Sequence, residues 1–160
     1  IAFYKNAFNV IAIFTLPFFG KLISKIDPRK FAIYSFGSMM LFTFFMGLTE
    51  FLPYHFRVGD VEIYYTLIIS YVFYGLFAST MALLWNIGSA YFCRNEDVTN
   101  YQAIHLTLTG LRGLIAPLLG VAFYEIIGFS GVFTIGILLL AFSIVVMVRS
   151  MKKHKFIISI

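Results

Sequence analysis

Apolar stretches long enough to cross a lipid bilayer recur along the whole chain, and they restrict its fold more than any other feature. Five such spans can be marked, at about residues 1–23, 31–52, 63–91, 100–127 and 132–148. Each holds at least 17 residues, enough for a helix to cross a hydrocarbon layer about 30 Å thick. The runs are continuous and lack the alternation of barrel strands. We therefore predict an all-α, polytopic membrane protein with five transmembrane helices embedded in a lipid bilayer.

The composition favours a membrane protein and argues against other classes. Hydrophobic residues make up 61% of the 160-residue chain and charged residues 12%, whereas soluble domains carry about 25% charged residues. The net charge of +5 is concentrated in particular loops, which indicates membrane topology rather than nucleic-acid binding. Because Cys93 is the only cysteine, no internal disulfide can form.

The distribution of basic residues predicts the orientation. One side of the membrane carries only Lys5 and Arg57, and the other carries nine cations: Lys21, Lys25, Arg29, Lys30, Arg94, Arg149, Lys152, Lys153 and Lys155. The richer side is expected to be cytoplasmic. This places the N-terminus outside and a basic tail, residues 149–160, in the cytoplasm of a plasma or bacterial inner membrane. The connection at 53–62 and a tight turn around Ser130 and Gly131 are then external.

The fourth span carries a charge near its centre. At 1.5 Å per residue, Arg112 lies about 20 Å from Thr99 and about 24 Å from Gly128. A charge at that depth is costly and marks a functional site by default. We predict that Arg112 faces a cavity, where it binds an anionic group or pairs with an acid that moves during a cycle. The alternative is a structural pair with a carboxylate of another helix, or with free carbonyls near Pro117.

Other candidates have a structural explanation as well as a functional one. Helical spacing places four further residues on the stripe of Arg112: Gln102, His105, Thr109 and Ala116. Of these, His105 is either a gate residue or an interfacial histidine.

The third span has one face of small and aromatic residues, which is typical of a helix-packing seam. The same face offers Tyr74, Trp85 and Asn86 as candidates for ligand binding. The second and fifth spans hold little beyond hydroxyls and are expected to face lipid.

Catalytic and metal-binding motifs are absent from the sequence. There is no CxxC, no HExxH and no glycine-rich phosphate loop. Glu50 and Glu125 lie near the predicted external ends, so no pair of carboxylates is expected inside the membrane. His105 and His154 lack ligand partners at metal-binding spacing. We therefore predict no enzyme activity, no cofactor and no metal site.

The first basic turn contains a recognisable motif. Residues 20–30 read GKLISKIDPRK and resemble the short loop motif of the major facilitator superfamily of transporters. Ser24 stands where the family usually has Asp, and Asp27 where it often has Gly. The matching positions are Gly20, Leu22, Lys25, Arg29 and Lys30. The fourth span adds residues 116–120, APLLG, which resemble a relaxed version of the family's Gly-Pro helix motif.

The resemblance implies helices eight to twelve of a twelve-helix transporter, whose two six-helix bundles rock around a central site. The third span would line the cavity, the first and fourth would flank it, and the second and fifth would be peripheral.

Because Ile1 lies inside an apolar run, we interpret the chain as a piece of a longer protein whose N-terminal six-helix half is a partner. The predicted function is secondary active transport of a small solute, with an anionic one as a candidate. The alternative is a polytopic membrane enzyme or an assembly subunit without transport activity.

Overall fold

The computed structural model describes residues 2–59, 61–87 and 98–153. Within them the chain forms helices and one hairpin: α1 (Ala2–Ile23), α2 (Pro28–Leu48), β1 (His55–Val58), β2 (Val61–Tyr64), α3 (Tyr65–Ile87) and α4 (Val98–Lys153). This content confirms the predicted all-α membrane fold. The predicted end of the third span at 88–91, Cys93, Arg94 and the tail beyond residue 153 lie outside the described residues.

Three helical stretches are long and apolar enough to cross a membrane, namely Pro28–Leu48, Tyr65–Asn86 and Thr99–Lys153. Phe8–Ile23 forms a shorter apolar helix. Pro17 lies inside α1, which runs without a break in secondary structure from Ala2 to Ile23. Among the described residues these helices overlap the five apolar runs that the sequence marks, and Thr99–Lys153 holds both the fourth and the fifth run.

Contacts along α1 and α3 show that these two helices run parallel. The rings of Phe8 and Tyr74 meet edge to face with centroids 4.8 Å apart. Further along both helices, the Thr15 hydroxyl donates to Ser79 Oγ at 3.0 Å. Because the contact positions rise together in both helices, α1 and α3 point the same way.

Hydroxyl groups join α2 to α3 in the opposite sense. Thr49 and Thr66 share a hydrogen bond of 2.8 Å at one end of the pair, and Thr80 donates to Ser35 at 3.0 Å near the other. Such bonds between small polar side chains hold helices together in lipid. The expectation that α2 mainly faces lipid is therefore incomplete, because its hydroxyls face α3.

Two helices approach each other closely at Gly75. A Cβ atom there would lie 2.8 Å from Ile11 Cβ and 3.1 Å from the carbonyl oxygen of Phe8. Neither atom is the free end of a flexible side chain, so any residue other than glycine would push α1 and α3 apart.

The long helix α4 is interrupted at Gly128, where φ is 71° and ψ is −176°. A positive φ is readily available only to glycine. Immediately beyond, a Cβ atom on Gly131 would lie 2.8 Å from Ile127 Cβ, far closer than residues four apart in a regular helix. The two glycines thus allow a tight bend between the first half of α4, residues 98–127, and its second half, residues 129–153.

The second half of α4 runs antiparallel to α2 and is joined to it at both ends. Ser130 Oγ donates to Glu50 Oε2 at 2.8 Å. At the other end, Arg29 Nη1 donates to the carbonyl oxygen of Ser150 at 3.1 Å. These bonds link the start of each helix to the end of the other.

The first half of α4 runs the opposite way. The Arg112 guanidinium carbon lies 5.5 Å from the centroid of the Trp85 ring. Trp85 is near the end of α3, at the end of the bundle where α2 begins. Gly128 is about 24 Å further along the helix from Arg112, so the chain leaves this basic end, reverses at Gly128 and returns. The predicted turn around Ser130 and Gly131 therefore occurs slightly earlier, and those two residues are helical.

A β-hairpin caps the end of the bundle opposite the basic turn. Its strands pair antiparallel with Arg57 opposite Glu62, and these side chains form a 2.6 Å ion pair. Gly59 has a φ of 60° in the connection. The described part of the connection at 53–62 is exposed, and the cross-strand pair gives it regular structure. Ile63, just beyond it in β2, is buried.

Replacing Gly75 with alanine should destabilise the bundle, since the new Cβ would overlap Ile11. We expect a loss of about 1–3 kcal/mol in the free energy of unfolding, measured by thermal unfolding in detergent. The matched control is Gly37→Ala in α2, where a Cβ would meet no atom within 4 Å. The control should unfold at an unchanged or higher temperature. Equal destabilisation of both variants would contradict the close approach at Gly75.

Candidate functional site

Arg112 makes its described contact with an aromatic ring and not with an acid. Its guanidinium carbon lies 5.5 Å from the Trp85 centroid, within the range of a cation–π interaction. Within residues 2–59, 61–87 and 98–153, no carboxylate oxygen lies within 4.0 Å of this guanidinium. Both residues are exposed, Trp85 by 40%. The guanidinium carries five N–H donors, so it can bind an anion without first breaking a described ion pair.

Three residues of the polar stripe of α4 are less exposed than their neighbours. Between residues 99 and 119, the half-buried side chains are Gln102, His105 and Thr109, and the remaining positions are exposed. Leucines on the opposite face are more than half exposed: Leu111 by 52%, Leu114 by 69% and Leu118 by 69%. Thr109 and His105 therefore lie on the less exposed face of α4, one and two helical turns, respectively, before Arg112.

Tyr74 lies in a separate place. It is 11 residues before Trp85 in α3, about 16 Å along the helix axis. Its ring contacts Phe8 and Phe42, with centroids 4.8 and 4.9 Å away. It lines a cavity of about 490 Å³ whose other walls are Asn6, Phe8, Asn9, Phe42 and Tyr71. The structure therefore divides the predicted cavity residues between two locations along α3.

Asn86 follows Trp85 and is exposed. Its amide nitrogen donates to the carbonyl oxygen of Ala82, one turn earlier in the same helix, at 2.7 Å. The amide is thus anchored on its own helix beside the Arg112–Trp85 contact. The structure brings Arg112 and Trp85 together, places Asn86 next to them, and leaves Tyr74 apart.

Asp27 organises the loop motif between α1 and α2. Its carboxylate accepts a hydrogen bond from the backbone N–H of Arg29 at 2.8 Å and so caps α2. The same carboxylate forms a 2.7 Å ion pair with the Arg29 guanidinium. Burial of the carboxyl opposes its ionisation, but the hydrogen bonds and charge of Arg29 outweigh this and hold the pKa of Asp27 below its usual value.

The Arg29 side chain also reaches the end of α4. Its Nη1 donates to the carbonyl oxygen of Ser150 at 3.1 Å and to Ser150 Oγ at 3.3 Å. The remaining motif residues surround this link: Gly20 and Leu22 are half-buried, and Lys25 and Lys30 are exposed. Sequence reasoning missed Ser150, because no pattern relates residues that are 121 positions apart.

Comparison with known proteins gives one family. The family model for the Major Facilitator Superfamily matches residues 6–156, which include most of α1 and all of α2, α3 and α4. No curated protein and no solved structure shows a significant match.

The charge on Asp27 should stabilise the folded protein at neutral pH. Because the folded-state pKa is lowered, this contribution is present above the unfolded pKa of about 3.9 and is lost as the pH falls below it. Asp27→Asn keeps the capping oxygen and removes the ion pair. We expect the variant to be less stable by about 1–2 kcal/mol at pH 7 and to approach the unmodified protein below pH about 4, by thermal unfolding in detergent.

The control for this prediction is Glu62→Gln, which removes the other ion pair of the described residues. The Glu62 and Arg57 side chains are 40% and 67% exposed, against 18% and 11% for Asp27 and Arg29. Exposed pairs contribute little, so this variant should unfold nearly like the unmodified protein. A similar loss in both variants, or a loss for Asp27→Asn that persists in acid, would refute the assignment.

Proposed function

Because the chain belongs to the Major Facilitator Superfamily, we propose that it acts in secondary active transport, moving a small solute by alternating access. Members of this family are transporters and not enzymes, and the match extends over nearly the whole chain. Transport in general therefore follows from the family. We further propose a class of solute and the residues that bind it.

The observation that carries the proposed site is the cation–π contact between Arg112 and Trp85. Arg112 is central in its own helix, but it lies beside Trp85 near the end of α3 and is exposed. The ring of Trp85 attracts the guanidinium without neutralising its charge, unlike a carboxylate. Such an arrangement keeps the cation in place and leaves its hydrogen-bond donors available to an anion.

The proposed substrate is accordingly a small solute with an anionic group, bound by Arg112. Thr109 and His105 are half-buried on the same stripe of α4, one and two turns before Arg112, and would supply further hydrogen bonds. Trp85 positions the guanidinium, and Asn86 borders the site. Tyr74 would contact the solute from its own cavity at a different depth. A coupling role for Arg112 requires an acid, which in this proposal comes from the other half of the transporter.

In the proposed arrangement, α1, α2, α3 and the two halves of α4 correspond to helices eight to twelve of a twelve-helix transporter. Their partner is the N-terminal six-helix half of the same protein. The basic end, with the tail at 149–160, would face the cytoplasm of a plasma or bacterial inner membrane, and the N-terminal end of α1 would face outside. Support comes from the antiparallel order of the helices and from the concentration of exposed lysines at one end.

Replacing Arg112 with glutamine in the full-length protein should lower transport of anionic solutes by about tenfold or more, because a hydrogen-bonded charge pair with the solute is lost. Uptake and export of radiolabelled small carboxylates and phosphate esters are measured in cells and in vesicles. The matched control is Arg57→Gln, which makes the same change in the exposed hairpin. Both variants should reach the membrane in normal amounts.

A second pair of variants separates charge positioning from packing. Trp85→Phe retains an aromatic face for the guanidinium and should keep most of the activity, whereas Trp85→Leu retains apolar bulk only and should lose more. Unimpaired transport by Arg112→Gln would remove the site from the proposal. Absence of any solute movement by the unmodified full-length protein, with correct membrane insertion, would favour a membrane enzyme or an assembly subunit.

A further inference from the structure

The basic end of the bundle collects cations from two distant parts of the chain. One group lies at the end of α1 and the start of α2, and the other in the last turns of α4. All six side chains are exposed: Lys21, Lys25, Lys30, Arg149, Lys152 and Lys153. Within the described residues, none of them has a carboxylate oxygen within 4.0 Å.

A half-buried link connects the two groups. Asp27 fixes the Arg29 guanidinium through a 2.7 Å ion pair, and Arg29 in turn donates to the Ser150 carbonyl at 3.1 Å. Lys30 follows Arg29 directly, and Arg149 precedes Ser150. The link therefore brings the two cation groups to the same end of the bundle.

No described acid neutralises this surface. Asp27 is already paired with Arg29, and the other carboxylates of the described residues lie toward the opposite end: Glu50 beside Ser130, Glu62 in the hairpin, and Glu125 three residues before Gly128. The six exposed cations thus form a concentrated positive field. We call this surface, formed by Lys21, Lys25, Lys30, Arg149, Lys152 and Lys153, the basic patch.

We propose that the basic patch binds the headgroups of anionic phospholipids. Its members occupy the last turns of α1 and α4, the first turn of α2 and the short connection between α1 and α2, which is the level of the lipid headgroups when these helices cross the membrane. The long stems of lysine and arginine lie along apolar surface while the charged ends reach the interface. Clusters of this size beside transmembrane helices attract anionic lipids. The proposal does not rest on the transport function.

The test uses the purified full-length protein in a neutral detergent. Binding of dioctanoyl phosphatidylglycerol and dioctanoyl phosphatidylcholine is measured by native mass spectrometry and by microscale thermophoresis. We expect the unmodified protein to bind the anionic lipid at least about tenfold more tightly, and this preference to weaken at high salt. Equal affinity for the two lipids in the unmodified protein would overturn the proposal, whatever the variants do.

Variants then test the residues. Combined replacement of Lys30, Arg149 and Lys152 with glutamine should weaken phosphatidylglycerol binding by roughly fivefold per cation removed. Arg57→Gln, at the opposite end, should leave it unchanged. Arg29→Gln breaks the link and should weaken phosphatidylglycerol binding more than Lys30→Gln does. Lys30→Gln removes one exposed cation only. Equal losses in the last two variants would overturn the role of the link.

Free glycerol 3-phosphate distinguishes the two sources of a phosphate group. If the patch binds lipid, millimolar glycerol 3-phosphate should displace phosphatidylglycerol only weakly, because it lacks the acyl chains that hold the headgroup at the interface. Displacement at concentrations comparable to those of the lipid would show a site for a soluble phosphate and would refute the lipid assignment. Because this comparison uses the unmodified protein, it does not depend on the folding of any variant.

Discussion

Helices in lipid gain little from burying apolar side chains against one another, because the hydrocarbon around them is just as apolar. Close approach and interhelical hydrogen bonds must supply the attraction instead. The buried side chains follow this constraint, since small hydroxyls are prominent among them: Ser35, Thr66, Ser70, Ser79 and Thr80. No buried side-chain polar atom in the described part of the chain lacks a hydrogen-bond partner. Hydroxyls and a glycine thus share the interior with a few apolar side chains, such as Phe31 and Ile23, while many large apolar residues are exposed.

The same constraint explains how the two halves of α4 differ. The second half has hydrogen-bonding partners at both ends, Glu50 and Arg29, and is fixed to α2. For the first half, the described side-chain contact with the bundle is the cation–π contact of Arg112 with Trp85. The two halves of α4, on either side of Gly128, are thus held to the bundle by different kinds of interaction.

The sequence was sufficient for features that belong to one helix, and insufficient for those that join two. Apolar run length predicted the membrane helices, and the 3.6-residue period predicted the inward face with His105 and Thr109. Periodicity says nothing about the depth at which two helices meet. It therefore grouped Tyr74 with Trp85 although about 16 Å of helix separates them. The bond from Arg29 to Ser150 could not be predicted either, because the two residues are 121 positions apart and no sequence pattern relates them.

The attachment of α2 to the second half of α4 also has a consequence for biosynthesis. During synthesis α2 enters the membrane before residues 130–150 exist. The side chains at its two ends, Glu50 and Arg29, therefore lack their later partners, which lie 80 and 121 positions further along the chain. α1, α2 and α3 can associate first through near contacts in the chain, and the last helix completes the assembly. A ribosome that stops before Ser150 leaves Arg29 without that acceptor. Such truncated chains would expose an incomplete surface to membrane quality-control proteases.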